Sequence, residues 1–217
     1  MDQKLFQKQN ITVRDKFYSM FIVKDVDVLF NRLVEKGESH PDFIDERIPY
    51  WADLWPSSIV LSEFILDNYS DMSGMRVLEI GCGLGLPGIV AGSIGADLTF
   101  SDYEQAALEV AENNWYLNNS RSAKFLHVDW RVPPEHLKFD LILASDVAYE
   151  RKSYQNLIQT FKVLLKPEAK ILLAEPNRAM ARDFPEALVN AGFELNSNTF
   201  DYHFGNMNYK IFIHKIC

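Results

Sequence analysis

The sequence predicts an α/β protein: a doubly wound, seven-stranded, mostly parallel sheet with one antiparallel edge strand, plus a short N-terminal extension. Three observations carry this. From Met75 onward, short apolar runs alternate with stretches whose apolar residues recur at helical spacing. One run, Val77-Leu78-Glu79-Ile80, breaks into Gly81-Cys82-Gly83-Leu84-Gly85 before an apolar helix. The chain ends on two strand-like runs, Phe193–Thr199 and Tyr209–His214, with no helix between them. Regular strand–helix alternation builds a parallel sheet covered on both faces. The terminal pair reads as an antiparallel hairpin at one edge.

The elements follow in order. Lys16–Lys24, rich in Phe, Tyr, Ile and Val, reads as a strand. Asp25–Lys36 reads as a helix with Val28, Leu29 and Leu33 on one side and Gly37 as its stop. Gly37–Pro49 reads as a polar connection. Pro56–Asp67 reads as a helix, with Pro56 suited to the first turn. Strands are expected at Arg76–Ile80, Leu98–Ser101, Lys124–Val128, Leu141–Ala144 and Lys170–Ala174. Helices are expected at Glu104–Leu117, with Leu108, Ala111 and Trp115 inward, and from Tyr154 to Leu165, ended by Pro167. A further one contains Phe184, Leu188 and Ala191 and stops at Gly192. The expected division is an N-terminal extension, 1–53, packed on a main domain, 54–217.

At 217 residues, 47% hydrophobic and 24% charged, the chain has the bulk of an ordinary globular α/β domain. A net charge of −8 argues against a broad nucleic-acid or anionic-membrane surface, which needs clustered Lys and Arg. Two cysteines, Cys82 and Cys217, supply neither a disulfide framework nor metal-ligand spacing, so no metal is expected. The polar N-terminus lacks a signal-peptide apolar segment and no stretch reaches membrane-spanning length, so the expectation is a cytoplasmic protein away from membranes.

The glycines at 81, 83 and 85 let backbone approach a ligand closely. Asp102 closes the next strand roughly 20 residues on, where a carboxylate reaches ribose hydroxyls. It also reads as the N-cap of the following helix, and the two roles coexist. A dinucleotide fingerprint wants glycine where this chain has Leu86, which would crowd a pyrophosphate. A phosphate-free nucleoside cofactor such as S-adenosylmethionine makes no such demand. Asp129-Trp130 follows the third strand, where a carboxylate accepts from an adenine amine. Ser145-Asp146-Val147-Ala148-Tyr149 follows the fourth, with Asp146 able to bind a cationic amine and Tyr149 able to line a pocket. Glu175-Pro176-Asn177-Arg178 follows the fifth. There Glu175 can orient substrate with Arg178 paired to it, or the two form a structural ion pair. Gly81, Asp102, Asp129, Asp146 and Glu175 thus stand at successive strand ends, the ligand edge of an open α/β sheet. Cys82 and His127 read as packing residues.

These residues resemble the seven-β-strand S-adenosylmethionine-dependent methyltransferases, with a Rossmann-like fold, over about two thirds of the chain. More narrowly the chain resembles the protein-lysine methyltransferases of methyltransferase family 16. Three segments carry the narrower likeness: Pro49-Tyr50-Trp51-Ala52-Asp53-Leu54-Trp55-Pro56, Val77 to Gly88, and Asp146-Val147-Ala148-Tyr149. The resemblance implies cofactor contacts from Trp55, Glu79, Gly81, Gly83, Asp102, Tyr103, Asp129, Trp130 and Ser145, and active-site roles for Asp146 and Tyr149. It implies a protein substrate, with lysine as methyl acceptor; the expected oligomeric state is a monomer. The alternatives are a small-molecule N- or O-methyltransferase and, from other classes, a nucleotide-cofactor oxidoreductase or a non-catalytic binding module.

Overall fold

The computed structural model describes every residue except Met1, Gln3, Glu46, Asn177 and Met180. The chain opens with an antiparallel hairpin of β1 (Phe6–Val13) and β2 (Lys16–Val23), in register from Phe6 opposite Val23 to Val13 opposite Lys16. The sequence reading has only the second of these strands. Helix α1 (Val26–Glu35) starts where the Asp25 carboxylate accepts the Asp27 N–H at 3.0 Å. The stretch read as a polar connection contains a four-residue helix, α2 (Pro41–Ile44), capped by the His40 ring Nδ1, which accepts from the Asp42 N–H at 3.1 Å. After a single 3₁₀ turn at Tyr50–Ala52, Pro56 starts helix α3 (Pro56–Asn68) as expected.

The alternating region then forms. Its elements are β3 (Arg76–Ile80), α4 (Leu86–Ser93), β4 (Asp97–Asp102), α5 (Gln105–Asn118), β5 (Lys124–His127) and β6 (Phe139–Ser145). After them come α6 (Tyr154–Leu164), β7 (Leu165–Pro176), α7 (Phe184–Asn190), β8 (Leu195–Phe204) and β9 (Met207–Ile216). Seven strands make one sheet in the order β5-β4-β3-β6-β7-β9-β8. The pairs β3–β4, β3–β6, β4–β5 and β6–β7 are parallel. The one strand running against the others is β9, in the β8–β9 hairpin that closes that edge.

Period-two alternation splits each central strand between two cores. Val77, Leu141, Leu143, Leu172 and Ala174 face α3, α4 and α5, while Leu78, Ile80, Ile142, Ala144, Ile171 and Leu173 face α6 and α7. The N-terminal hairpin packs on the first side, adding Ile11, Val13, Tyr18 and Met20 to that core. Its hold on α5 is polar as well. Asn114 Oδ1 accepts the Phe21 N–H at 2.6 Å, and Asn118 Oδ1 accepts the Ser19 N–H at 2.9 Å. The same two amides donate back to the Phe21 and Ser19 carbonyls. Two helix side chains thus imitate a neighbouring strand and satisfy β2's open edge. Among the described residues no helix is long and apolar enough to cross a membrane.

Candidate active site

The chain runs β3, β4, β5 outward, then returns to lay β6 on the other flank of β3. That reversal opens a crevice at the carboxyl ends of the central strands. A cleft of about 850 Å³ lies there. The β3–α4 loop forms its floor. Gly81 sits at φ +60°, and a Cβ on it would lie 2.9 Å from Val147 Cγ1. Gly83 sits at φ +50°, and a Cβ there would lie 3.0 Å from the Trp51 carbonyl oxygen. Both positions therefore require a bare backbone. Leu86 is buried at the start of α4, and Cys82 is buried with its thiol pushed up by desolvation, which suits a loop filler.

Asp102, the last residue of β4, fastens this loop. Its Oδ2 accepts the Gly83 N–H and its Oδ1 the Glu104 N–H, each at 2.9 Å. The second bond falls just before α5, whose N-cap is Glu104 with no side-chain cap, so Asp102 is not the N-cap that the sequence reading made it. Each carboxylate oxygen accepts up to two hydrogen bonds, so Asp102 keeps capacity for a ligand in the cleft it lines. Burial raises its pKa, against the pull of these backbone donors.

Beside it, Tyr103 is the hub of a polar cluster. Its hydroxyl accepts from Arg47 Nη2 at 2.7 Å and donates to Asp45 Oδ2 at 2.9 Å. The Arg47 and Arg131 guanidinium groups lie 4.5 and 5.5 Å from its ring centre. His127 stacks on the same ring with its Nε2 2.7 Å from the Tyr103 carbonyl oxygen, but it is exposed and not the packed residue the sequence suggests. Asp129 lies two residues beyond β5, with both oxygens taken by Arg131 Nε at 2.9 and 2.8 Å, which holds its pKa low. Trp130 lines the cleft against the Gly81 floor.

The β6 end supplies the other wall. Ser145 closes the strand, and Asp146 follows in the left-handed region at φ +55°, uncommon for a residue with a side chain. Its Oδ1 lies 3.3 Å from Arg178 Nη2, and its Oδ2 is buried with no hydrogen-bond partner among the described residues. Burial pushes its carboxyl up, against the pull of Arg178 and the nearby Ser57 hydroxyl. Tyr149 meets Tyr50 edge-on at 5.5 Å, and Tyr50 meets Trp55 at 6.3 Å, so three rings wall this end. Burial pushes the Tyr149 hydroxyl up to about 12. The Trp55 indole N–H donates to the Tyr50 carbonyl at 2.8 Å, and Arg178 lies 4.7 Å over a Trp55 ring.

Four of the five strand-end residues, Gly81, Asp102, Asp129 and Asp146, line this one cleft. Glu175 does not. It is buried beneath the Asp146–Tyr149 loop, where its Oε1 accepts the Ala148 N–H at 3.3 Å. Burial and the adjacent Asp146 push it up to about 8. Arg178 therefore pairs with Asp146, not with Glu175 as one sequence reading had it. Glu79 also lies outside the cleft lining: its Oε2 accepts the Gly88 N–H at 2.9 Å and ties β3 to α4. Trp55, Gly83, Tyr103, Trp130, Ser145 and Tyr149 all line the cleft. Asn177 lies outside the described residues.

A family profile for lysine methyltransferases matches residues 50–188, more than half the chain. The chain belongs to the lysine methyltransferase family. It is 36% identical over 127 residues to the histidine protein methyltransferase 1 homolog of Dictyostelium discoideum, a match covering 56% of this chain and 41% of that protein. It is 30% identical over 147 residues to the histone-arginine methyltransferase METTL23 of Homo sapiens, covering 63% of this chain and 75% of that one. To the protein N-lysine methyltransferase METTL21A of Danio rerio it is 33% identical over 136 residues, covering 59% and 62%. The matches thus span 41% to 75% of these relatives' own lengths. Among solved structures, the magnesium protoporphyrin IX methyltransferase of Synechocystis PCC 6803 with bound SAM superposes with a TM-score of 0.58. That likeness covers 88% of this chain and 91% of that one at 16% identity, so it shows the fold alone.

The site of this lysine methyltransferase family member contains residues that the sequence does not single out. Arg47 and Asp45 come from the segment read as a plain connection, and Arg131 follows a candidate residue without marking itself. Arg47 directly follows Asp45 and Glu46, a charge pattern that suits either a solvated stretch of chain or a clasp. Only the fold brings it onto Tyr103.

Proposed function

We propose that this chain transfers a methyl group from S-adenosylmethionine to a side-chain nitrogen of a protein, with lysine as the favoured acceptor. The observation that carries it is one cleft at the β3/β6 crevice that gathers the glycine floor, Asp102, Trp130, Asp146 and the Tyr50–Tyr149 pair. Family membership sets the reaction class.

The residues fit a phosphate-free adenosyl group. Bare backbone at Gly81 and Gly83 gives it a floor, and Asp102 offers free acceptor capacity to ribose hydroxyls. Tyr103, Asp129 and Trp130 border the neighbouring space, and buried Leu86 stands where a pyrophosphate would need room. Bound there, S-adenosylmethionine supplies a methyl group already activated on a sulfonium. The chain's own task is alignment and exclusion of water. Asp146 holds the acceptor amine at the β6 end. An amine with an ordinary pKa of about 10.4 must lose a proton before it attacks. Tyr50, Tyr149 and Trp55 form the aromatic edge past which the amine approaches. The Asp146 carboxylate, whose Oδ1 faces the exposed Arg178, is the group able to accept an amine N–H there.

The relatives named for histidine and arginine methylation make those side chains the second reading. The experiment is incubation of the protein with methyl-labelled cofactor and cell lysate, then hydrolysis of the labelled fraction. Label recovered as methyl-lysine supports the reading. Label in methyl-histidine or methyl-arginine supports the second, and label only in nucleic acid or small molecules overturns both.

A further inference from the structure

Arg178 occupies a place suited to a cation brought by a ligand. Its guanidinium lies 4.7 Å over a Trp55 ring and 3.3 Å from the Asp146 carboxylate. An aromatic face and a carboxylate together are what a protonated amine or guanidinium seeks. The Asp146 side chain keeps only 8% of its surface open, while the Arg178 side chain keeps 41%. The cation is therefore the exposed partner and the anion the buried one. Asp146 still has one oxygen, Oδ2, with no hydrogen-bond partner among the described residues. A single contact at 3.3 Å leaves that carboxylate under-used, since an arginine–carboxylate pair at its best is bidentate. Arg178 follows β7, whereas Asp146 follows β6 and Trp55 precedes α3, so withdrawing Arg178 leaves two parts of the site in place.

We propose that the Trp55 ring and the Asp146 carboxylate form a subsite for one cationic side chain of the acceptor, which Arg178 fills until the acceptor displaces it. This rests on the reading of Asp146 as the residue that holds the acceptor. It adds that the site selects a positive charge, and that the chain carries its own competitor for it. Arg178 itself is exposed, its one contact with Asp146 is 3.3 Å long and its contact with Trp55 faces solvent, so a docking side chain can displace it.

The probe is n-butylammonium, a lysine side-chain mimic, with n-butanol as the neutral control, followed through the Trp55 indole N–H resonance. In Arg178→Gln, n-butylammonium is expected to bind roughly tenfold more tightly than in the wild type, the combined effect of the two contacts removed. n-Butanol should leave the resonance unmoved, and Asp146→Asn in the Arg178→Gln background should abolish the shift. Should Arg178→Gln fail to fold, Arg178→Lys gives the same test with a smaller gain, because a shorter, non-planar cation holds both partners less well. Equal binding to wild type and variant, or an equal shift with n-butanol, overturns the proposal. Calorimetry with S-adenosylmethionine runs in parallel. A tighter cofactor in the variant without a tighter n-butylammonium would assign the subsite to the cofactor's own charge and overturn the proposal too. None of these readouts needs methyl transfer, so a chain that labels no protein yet binds n-butylammonium as described sinks the functional reading alone.

Discussion

Glu175→Gln separates the charge of this buried carboxyl from its shape. Glu175 is 4% exposed and accepts one N–H, from Ala148 at 3.3 Å. Burial first, and Asp146 second, push its pKa from an ordinary 4.5 up to about 8. Between those two values the folded chain holds a proton that the unfolded chain has released. Its contribution is therefore full below the lower value and is lost as pH rises through the upper one. At about 1.4 kcal/mol per pH unit, the gap amounts to roughly 5 kcal/mol. Glutamine imitates the protonated acid in shape, keeps an oxygen for the Ala148 N–H and never ionises. Wild type and variant should unfold alike at about pH 5, while at about pH 9 the variant should be more stable by roughly 5 kcal/mol. Urea unfolding followed by circular dichroism at several pH values reads this directly. Parallel stability curves across the range, or a wild type that gains on the variant as pH rises, would show that Glu175 is not held protonated.

Three further outcomes are expected. Asp102→Ala strips acceptors from the Gly83 and Glu104 N–H groups as well as from a ribose, and should weaken S-adenosylmethionine binding at least tenfold in calorimetry; unchanged affinity would remove Asp102 from the cofactor's ligands. Asp146→Asn, which keeps a residue tolerant of φ +55°, should bind cofactor as the wild type does yet lose about a hundredfold in methyl transfer, since the acceptor is no longer held; normal turnover in labelled lysate would refute that role. Gly88→Ala would put a Cβ 2.4 Å from Phe100 Cε1 and 2.6 Å from Glu79 Oε2. Overpacking of this kind should lower Tm by roughly 5 °C in a thermal scan, and an unaltered Tm would mean α4 shifts freely.

The alternating core was legible because period two and period 3.6 are separate signals, and each strand from Arg76 onward carries enough apolar residues to show one of them. The hairpin's first strand was not. Phe6–Val13 points four consecutive exposed residues, Gln7 to Asn10, at solvent, and its turn places Arg14 at φ +56° where a glycine would have flagged a hairpin. In the cleft, backbone-borne features read well: the glycine floor, Asp102 at a strand end and Asp146 behind β6. Features that depend on pairing between distant segments did not. Glu79 sits in the same motif as the cleft residues yet points at the Gly88 N–H. Asp129 turns to Arg131, and Arg178 takes Asp146 in place of Glu175. A sequence states which charges exist, while burial and three-dimensional reach decide which of them meet.

Asn114 has a second attachment. Besides gripping Phe21, its amide donates to the Leu84 carbonyl at 3.0 Å, in the middle of the glycine loop. One fully buried amide therefore rivets the opening hairpin and the glycine loop to the same turn of α5. Trimming the front of the chain, or splicing a tag into β2, would free half of that rivet and let the loop drift. The β1–β2 hairpin, which lines no part of the cleft, in this sense helps hold the loop that forms the cleft's floor.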